Sequence, residues 1–247
     1  MLRKHSSTRP ALRDRLVAGA TLRAPPAAPI TVAQEIFIAD VSGALWHEGT
    51  RTLVVSDLHL EKASSFAKRG IFLPPYDTAM TLARLAQVAL RFQPARIIAL
   101  GDSFHDREGA GRLSPEDRAS LHQLQKGREW IWVAGNHDPD APQDVGGLYC
   151  DFYELGGVIL RHEPTGAPAE LAGHLHPVAR VTAPAGSVRR RCFISDDQRC
   201  ILPAFGALAG GLNILDAAYD GLLQAPVLHV LGRNRVYSVP VTRCVPD

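Results

Sequence analysis

The sequence predicts an α/β fold in which two β-sheets pack face to face with helices outside them. The middle of the chain alternates apolar, strand-like runs with amphipathic helical segments in the order β-α-β-α-β. After Pro142 the helical pattern stops, and short apolar runs separated by turn residues replace it. An α/β half followed by a β-rich half is what two facing sheets require.

The first half of the chain contains a predicted hairpin and three predicted core strands. The hairpin spans residues 35–46, because Ser42-Gly43 interrupts two apolar runs. The core strands are the apolar runs at 53–56, 96–100 and 130–134, each of which ends in small residues or leads into a glycine. Strands of this kind present the residues that follow them at a sheet edge, where α/β proteins build their sites.

Two helices are predicted between these core strands. An apolar stripe at helical spacing begins at Asp77 and ends before Pro94. Ser114 and Pro115 combine an N-cap with a proline at the first helical position, which predicts a second helix that runs to about Lys126.

The second half is predicted to contain six short strands joined by turns. They lie at residues 158–160, 170–172, 191–194, 200–202, 227–231 and 235–239. The chain after residue 180 is too short for a separate capping domain, so residues 30–247 are expected to form one domain.

Residues 1–29 are predicted to form a disordered basic tail. Six lysine and arginine residues in this segment face a single acid, Asp14. A transit peptide is the alternative interpretation, whereas the apolar stretch at 16–18 is too short for a secretory signal.

Composition restricts the class of protein further. The chain has 247 residues, of which 46% are hydrophobic and 21% charged, as in globular proteins. No stretch reaches the roughly 18 apolar residues of a membrane span, and the four cysteines show no C-x-x-C spacing. A reduced cytoplasmic protein is therefore expected. The net charge of +2 gives no strong electrostatic footprint for a long nucleic-acid partner.

Seven candidate metal ligands lie in short polar strings, most of them directly after predicted strands. In chain order they are Asp57, His59, Asp102, Asn136, His162, His174 and His176. Six of the ten histidines lie in or beside these strings, a clustering that is hard to explain without a metal. Carboxylate, amide and imidazole donors without thiolate favour two ions of Mn²⁺, Fe²⁺ or Zn²⁺ over Ca²⁺.

His137 follows one of the ligands but is not needed to hold a metal once Asn136 does so. We expect it to stabilise the transition state or to protonate the leaving alkoxide.

Taken together, the strings D-x-H, G-D, G-N-H-D and G-H-x-H resemble those of the calcineurin-like metallophosphoesterase superfamily from about residue 50 to 180. The resemblance implies a four-layer α-β-β-α sandwich with the site at the strand ends. It implies a first metal ion held by Asp57, His59, Asp102 and His176. It implies a second ion held by Asp102, Asn136, His162 and His174, so that Asp102 bridges the pair.

The chain departs from the commonest superfamily pattern at His105, where many members carry an aspartate. The double-strand-break repair nucleases of the superfamily also have histidine there. By that resemblance, His105 assists phosphodiester cleavage near the scissile phosphate. The carboxylate that usually orients the catalytic histidine is then missing, and Asp106 and Asp138 are open alternatives.

A finer resemblance spans roughly residues 35 to 240. It is carried by DLHLEK (57–62), LPPYDT (73–78), GDSFHD (101–106), PAFG (203–206) and GGLN (210–213). These strings are similar to those of the bacterial ligase-associated DNA damage response endonucleases, which are PdeM-type phosphodiesterases. The resemblance implies Mn²⁺-dependent phosphodiester hydrolysis in DNA repair beside an ATP-dependent DNA ligase, with DNA as one candidate substrate.

Three functions are compatible with these patterns. The ligand set and His105 favour a dinuclear phosphodiesterase or nuclease. A phosphomonoesterase or pyrophosphatase acting on a small nucleotide-linked substrate is the first alternative. The second is a non-catalytic protein that keeps its metals for structure or docks to a ligase complex.

Overall fold

The computed structural model describes residues 28–183 and 186–247. Within them, two β-sheets face each other and the longer helices cover the outer side of the first sheet. The predicted α/β fold class with two facing sheets is therefore confirmed. The predicted tail lies outside the described residues except for Ala28 and Pro29, which begin the first strand.

The first sheet has seven strands in chain order. They are β1 Ala28–Val32, β2 Glu35–Ala39, β3 Leu45–His47, β4 Thr52–Ser56, β5 Arg96–Leu100, β6 Glu129–Val133 and β7 Leu148–Cys150. Strands β1 to β4 are antiparallel to their neighbours, whereas β4 to β7 run parallel. The carboxyl ends of β4, β5 and β6 therefore lie side by side.

Helices connect the parallel strands. α2 spans Asp77–Phe92 and α4 spans Pro115–Gln125, close to the predicted bounds. Ser114 caps α4 as expected, since its Oγ accepts a hydrogen bond from the backbone N–H of Asp117 at 3.0 Å. Two short helices were not predicted: α1 at Lys62–Ala67 and α3 at Gly109–Arg112.

The second sheet has nine strands among the described residues. They are β8 Tyr153–Leu155, β9 Val158–Leu160, β10 Glu170–Ala172, β11 Pro177–Ala183, β12 Gly186–Ser195, β13 Arg199–Ile201, β14 Leu212–Asn213, β15 Val227–Leu231 and β16 Val236–Pro240. The order β14-β11-β12-β13-β10-β9-β8 forms its main path, and β15 pairs with β12 and β16. Residues after 180 thus continue this sheet.

Strict alternation along the core strands divides their side chains between two apolar layers. On β4, Leu53 and Val55 pack against the helices, whereas Val54 faces the second sheet. Trp132 and Ile131 on β6 divide in the same way. Each such side chain contributes about 1.5–3 kcal/mol when fully buried. The strand ends that carry the site are consequently held from both faces.

Short segments, and no long helix among the described residues, cover the outer side of the second sheet. Among the described residues its packing partners include Ile214 and Tyr219, the latter in a 3-10 turn at Ala217–Tyr219. Glycine and proline recur in this stretch (Gly206 to Pro226), and both disfavour a long helix. No helix in the described part of the chain is both long and apolar enough to cross a membrane.

Candidate metal centre

The seven predicted ligands converge at one edge of the molecule, between the two sheets. Asp57 directly follows β4, Asp102 lies two residues after β5, and Asn136 follows β6. From the second sheet, His162 follows β9, and His174 and His176 follow β10. The edge therefore combines three strand ends of one sheet with two of the other.

One group of potential ligands consists of Asp57, His59 and His176, whose ligand atoms lie within 4.8 Å of one another. His176 Nε2 lies 3.0 Å from Asp57 Oδ1 and 3.2 Å from His59 Nε2. Asp57 and His59 are buried, so this group can hold an ion away from bulk solvent.

A second group consists of Asp102, His162 and His174, again within 4.8 Å. His162 Nε2 lies 3.4 Å from Asp102 Oδ1 and 3.2 Å from His174 Nδ1. The amide oxygen of Asn136 lies 3.0 Å from the same His162 nitrogen. Asn136 is thus placed to add a neutral oxygen donor to this group.

Asp102 connects the two groups. Its Oδ1 faces His162, whereas its Oδ2 lies 3.8 Å from His59 Nε2 in the other group. A carboxylate whose two oxygens face two sets of imidazoles suits a pair of ions. The mixed carboxylate, amide and imidazole donors fit Mn²⁺, Fe²⁺ or Zn²⁺, since thiolate is absent among them.

Charge in the centre favours cation binding. Burial lowers the pKa of His59 to about 3, which leaves its imidazole neutral and able to ligate. Burial acts to raise the pKa of Asp102, but the hydrogen bond and charge of His162 outweigh it and hold that pKa at about 2. Asp57 is likewise held below its ordinary pKa: burial opposes this, and the contact with His176 outweighs it.

His162 behaves differently from the other imidazoles. Burial opposes its charged form, yet Asp102 and Asp57 raise its pKa to about 9. Its Nδ1 donates a hydrogen bond to the carbonyl oxygen of Leu100 at 3.2 Å, which directs Nε2 toward the other ligands. A metal that binds here therefore displaces the Nε2 proton.

The backbone is bent sharply at most of the ligands. Five of the seven have left-handed conformations, with positive φ: Asp57 54°, His59 43°, Asp102 46°, His174 68° and His176 49°. Such φ values are uncommon outside glycine, although aspartate and histidine adopt them more readily than most residues. Each costs on the order of 1–3 kcal/mol and persists only where the surrounding structure imposes it. The bends turn consecutive polar side chains into one space.

Glycines in the ligand strings allow the chain segments to touch. A Cβ at Gly135 would overlap the backbone nitrogen of Asp102, and one at Gly173 would overlap Ser56 Oγ. The absence of a side chain at Gly173 is therefore what lets this segment lie against the end of β4. A Cβ at Gly101 would overlap the ring of His162.

His137 is oriented by a backbone carbonyl. Its Nδ1 donates to the carbonyl oxygen of His105 at 2.9 Å, and its own backbone N–H donates to Asp102 Oδ1 at 2.9 Å. The other ring nitrogen, Nε2, lies 3.8 Å from Asp102 Oδ2. His137 thus presents Nε2 to the centre while its side chain remains partly exposed to solvent.

Neither of the two open alternatives orients His137. Asp106 accepts hydrogen bonds from both terminal nitrogens of Arg112 at 2.7 Å. Asp138 accepts from the backbone N–H groups of Ser103 at 2.8 Å and Phe104 at 3.0 Å, and burial raises its pKa to about 7. Both carboxylates hold the loop after β5 instead.

His105 lies next to His137. Their ring centroids are 5.2 Å apart and the rings are nearly parallel, at 20°. Burial, assisted by the nearby Lys62 charge, lowers the pKa of His105 to about 4. It is therefore a neutral hydrogen-bonding group near pH 7, and it lines a shared cleft with His137 and Asn136.

Sequence reasoning missed two supports of Asp57. Ser56 Oγ donates to Asp57 Oδ2 at 2.6 Å, which fixes that carboxylate. The backbone N–H groups of Phe205 and Gly206 donate to the carbonyl oxygens of Ser56 and Asp57 at 2.7 and 3.0 Å. A serine directly before D-x-H was the available signal for the first support, whereas the second is made by backbone atoms alone.

Comparison with known proteins agrees with this geometry. Residues 50–196, which include all seven candidate ligands, match a family model described as Calcineurin-like phosphoesterase. Among solved structures, Pseudomonas putida nuclease MPE shares 29% identity at a TM-score of 0.66, covering 86% of this chain and 100% of that one. Yfce, a phosphoesterase from E. coli, shares 14% identity at a TM-score of 0.39, with 77% and 98% coverage. The search of curated proteins gave no match.

Proposed function

We propose, because this chain belongs to the calcineurin-like phosphoesterase family, that it hydrolyses phosphodiester bonds with the help of two divalent metal ions. The observation that carries the proposal is the pair of ligand groups joined by Asp102. This arrangement supplies two adjacent cation sites, which is what in-line displacement at phosphorus uses.

The ligands of each ion are proposed from the two groups. Asp57, His59, His176 and Asp102 would hold the first ion. Asn136, His162, His174 and Asp102 would hold the second. When bound, the ions supply a nucleophile near neutral pH and neutralise charge on the phosphoryl oxygens.

The protein's own groups complete the reaction. His137, with Nδ1–H held by the carbonyl of His105, would direct a protonated Nε2 toward the leaving alkoxide and donate that proton to it. The neutral imidazole of His105 would hydrogen-bond an ester oxygen beside the scissile bond. A backbone carbonyl can orient an imidazole without adding negative charge, unlike the carboxylate that it replaces.

A nuclease role in DNA repair is the finer part of the proposal. Similarity to a Pseudomonas putida nuclease along the whole of that chain supports it, as does the resemblance to ligase-associated endonucleases. Mn²⁺ is the proposed metal, DNA the proposed substrate, and an ATP-dependent DNA ligase system the proposed partner, in the cytoplasm.

Hydrolysis of bis(p-nitrophenyl) phosphate and of single- and double-stranded DNA by the Mn²⁺-loaded protein tests the function. We expect His137→Ala to keep its metal, measured by elemental analysis, while kcat falls about 10²- to 10⁴-fold. His122→Ala, on the exposed side of α4, is the matched histidine control and should match the wild type.

Three outcomes would count against this proposal. An inert wild-type protein would exclude catalysis of diester hydrolysis. Faster turnover of p-nitrophenyl phosphate than of the diester would favour the phosphomonoesterase or pyrophosphatase alternative. A His137→Ala variant that still complements a damage-sensitive null strain would favour the non-catalytic alternative.

A further inference from the structure

The segment between α1 and α2 exposes large apolar side chains. We call residues 66–76 the aromatic segment. Within it Phe72 is 85% exposed, Tyr76 65% and Ile71 50%. Single exposed apolar residues are ordinary on protein surfaces, but a run that includes two aromatic rings is typical of a binding surface.

The aromatic segment adjoins the candidate metal centre. The ring of Phe66, at its start, lies 5.4 Å from the ring of His105. Arg69 lines the cleft that His105 and His137 also line. Phe72 follows Arg69 by three residues, so the chain places it within about 11 Å of that arginine. The start of the segment therefore borders the place where a phosphodiester would be cleaved, and Phe72 follows within a short length of chain.

The aromatic segment itself carries only positive charge, whereas Asp106 and Glu108 also line the adjoining cleft. No acidic residue lies between Lys62 and Tyr76, whereas Lys62, Lys68 and Arg69 are basic. Lys68 forms an ion pair with Glu108, but Arg69 forms none with the described residues. A cation beside exposed rings suits a polymer that alternates phosphates with flat apolar groups.

Both ends of the segment are anchored. The backbone N–H of Glu61 donates to Thr78 Oγ1 at 2.8 Å, and that of Ala63 donates to Asp77 Oδ2 at 3.1 Å. Pro74 and Pro75 restrict the backbone between these anchors. The rings are thus presented on a short, restrained loop, which lowers the entropy lost when a ligand binds.

We infer that the aromatic segment is a specificity determinant that holds the nucleotides flanking the scissile phosphate. In it, Phe72 and Tyr76 stack against unpaired bases and Arg69 binds a neighbouring phosphate. Bases within a duplex are already stacked on each other, so rings that bind base faces select unpaired nucleotides. The inference rests on the proposed function, since it concerns the same site.

Phe72→Ala tests the inference with two readouts. One is the affinity for a fluorescently labelled single-stranded oligodeoxynucleotide, measured by anisotropy without Mn²⁺. The other is kcat/KM on that oligonucleotide divided by kcat/KM on bis(p-nitrophenyl) phosphate, which has no flanking nucleotides. We expect Phe72→Ala to weaken binding about tenfold and to lower the ratio about tenfold, because stacking contributes roughly 1–3 kcal/mol per base.

Matched variants isolate the effect of the ring. Phe72→Trp should restore binding, since tryptophan also stacks. Tyr237→Ala removes a ring that is 44% exposed on β16 of the second sheet and should change neither readout by more than about twofold. Phe72→Ala combined with Tyr76→Ala should weaken binding about a hundredfold if each ring takes one base.

Two outcomes would overturn the inference. Unchanged oligonucleotide affinity in the double variant would show that the exposed rings do not bind bases, and would favour a protein partner for them. Equal losses on oligonucleotide and small diester would make the segment a structural support of the centre. If the wild type cleaves neither substrate, the proposed function fails, while the anisotropy measurement still decides the inference.

Discussion

The first sheet joins two regions that are built on different principles. On its outer side, α2 and α4 pack apolar side chains such as Leu85 and Leu121 against the strands in ordinary helical geometry. At its carboxyl edge, three ligands (Asp57, His59 and Asp102) adopt left-handed backbone conformations, and neighbouring glycines leave no room for a Cβ. The comparison shows that stability and chemistry are separated: the packed side supplies the free energy that keeps the strained edge in place.

The largest effect expected at the edge comes from Asp102→Asn. Because Asp102 faces both ligand groups, we expect the metal content to fall below two ions per chain. Diester turnover should fall by at least about 10³-fold. Elemental analysis and steady-state kinetics measure both quantities.

Asp197→Asn, which changes an exposed carboxylate in the turn after β12, is the control and should keep metal and activity. If the Asp102→Asn variant retained two ions and full turnover, the carboxyl edge would no longer be distinguished from the packed side by its role in chemistry.

On the packed side, Leu85→Ala should act on stability alone. Leu85 is fully buried between α2 and the first sheet, so its truncation should lower the free energy of unfolding by about 3 kcal/mol. Specific activity of the folded fraction should stay within about twofold. Denaturant unfolding and kinetics on the same preparation check this.

Leu90→Ala on the exposed face of the same helix should cost less than about 0.5 kcal/mol. Loss of activity in folded Leu85→Ala would show that the two regions are coupled.

Gly173→Ala should lower both the stability of the protein and its affinity for metal, because this glycine lies at the carboxyl edge. Its Cβ would overlap Ser56 Oγ and crowd Asp57 Oδ2, so stability should fall by about 2 kcal/mol and metal affinity about tenfold. Thermal unfolding and metal titration provide the two measurements.

Gly111→Ala is the matched control, because nothing lies within 4 Å of its added methyl group and it lies in α3. This change should be neutral or slightly stabilising. Equal behaviour of the two alanine variants would mean that close approach at Gly173 is unimportant.

The smallest effect expected concerns a histidine far from the ligands in sequence. Burial lowers the pKa of His229 to about 4, and its Nε2 contacts Ser195 Oγ at 2.9 Å. The folded state thus binds its proton more weakly than the unfolded state, with its ordinary pKa near 6.5. Stability is lost as pH falls from about 6.5 toward 4, amounting to about 1–2 kcal/mol between roughly pH 7 and pH 5.

His229→Gln should flatten that part of the stability curve relative to the wild type. Urea unfolding at several pH values gives the difference between the two proteins. Parallel curves would show that His229 does not titrate differently on folding.

The packed side was predictable because burial dictates residue type. The apolar runs of β4, β5 and β6, and the stripe and caps of α2 and α4, all follow from that requirement. Strand β7 at Leu148–Cys150 was not predicted, since its residues are partly exposed and form no apolar run. Strand β11 was missed for a related reason, since Arg180 and Thr182 interrupt its apolar residues.

The candidate site was predictable in its members but not in its supports. Asp57, Asp102 and His176 belong to strings that are informative when they are taken together, in their order along the chain. The group that orients His137 is the carbonyl of His105, and every residue type carries such a carbonyl. Left-handed φ values also leave little trace in sequence when aspartate and histidine adopt them. Backbone geometry is therefore what the pattern of side chains could not convey.

The hydrogen bonds that Phe205 and Gly206 donate to the end of β4 have a consequence for biosynthesis. His59 and His176 are separated by 117 residues, and Phe205 and Gly206 come later still in the chain. During synthesis, Asp57 and Asp102 therefore leave the ribosome well before His174 and His176. Closing a loop of this length is slow. Each candidate ligand group includes a histidine near residue 175, so an incomplete chain that ends earlier would lack a ligand for both of the proposed ions.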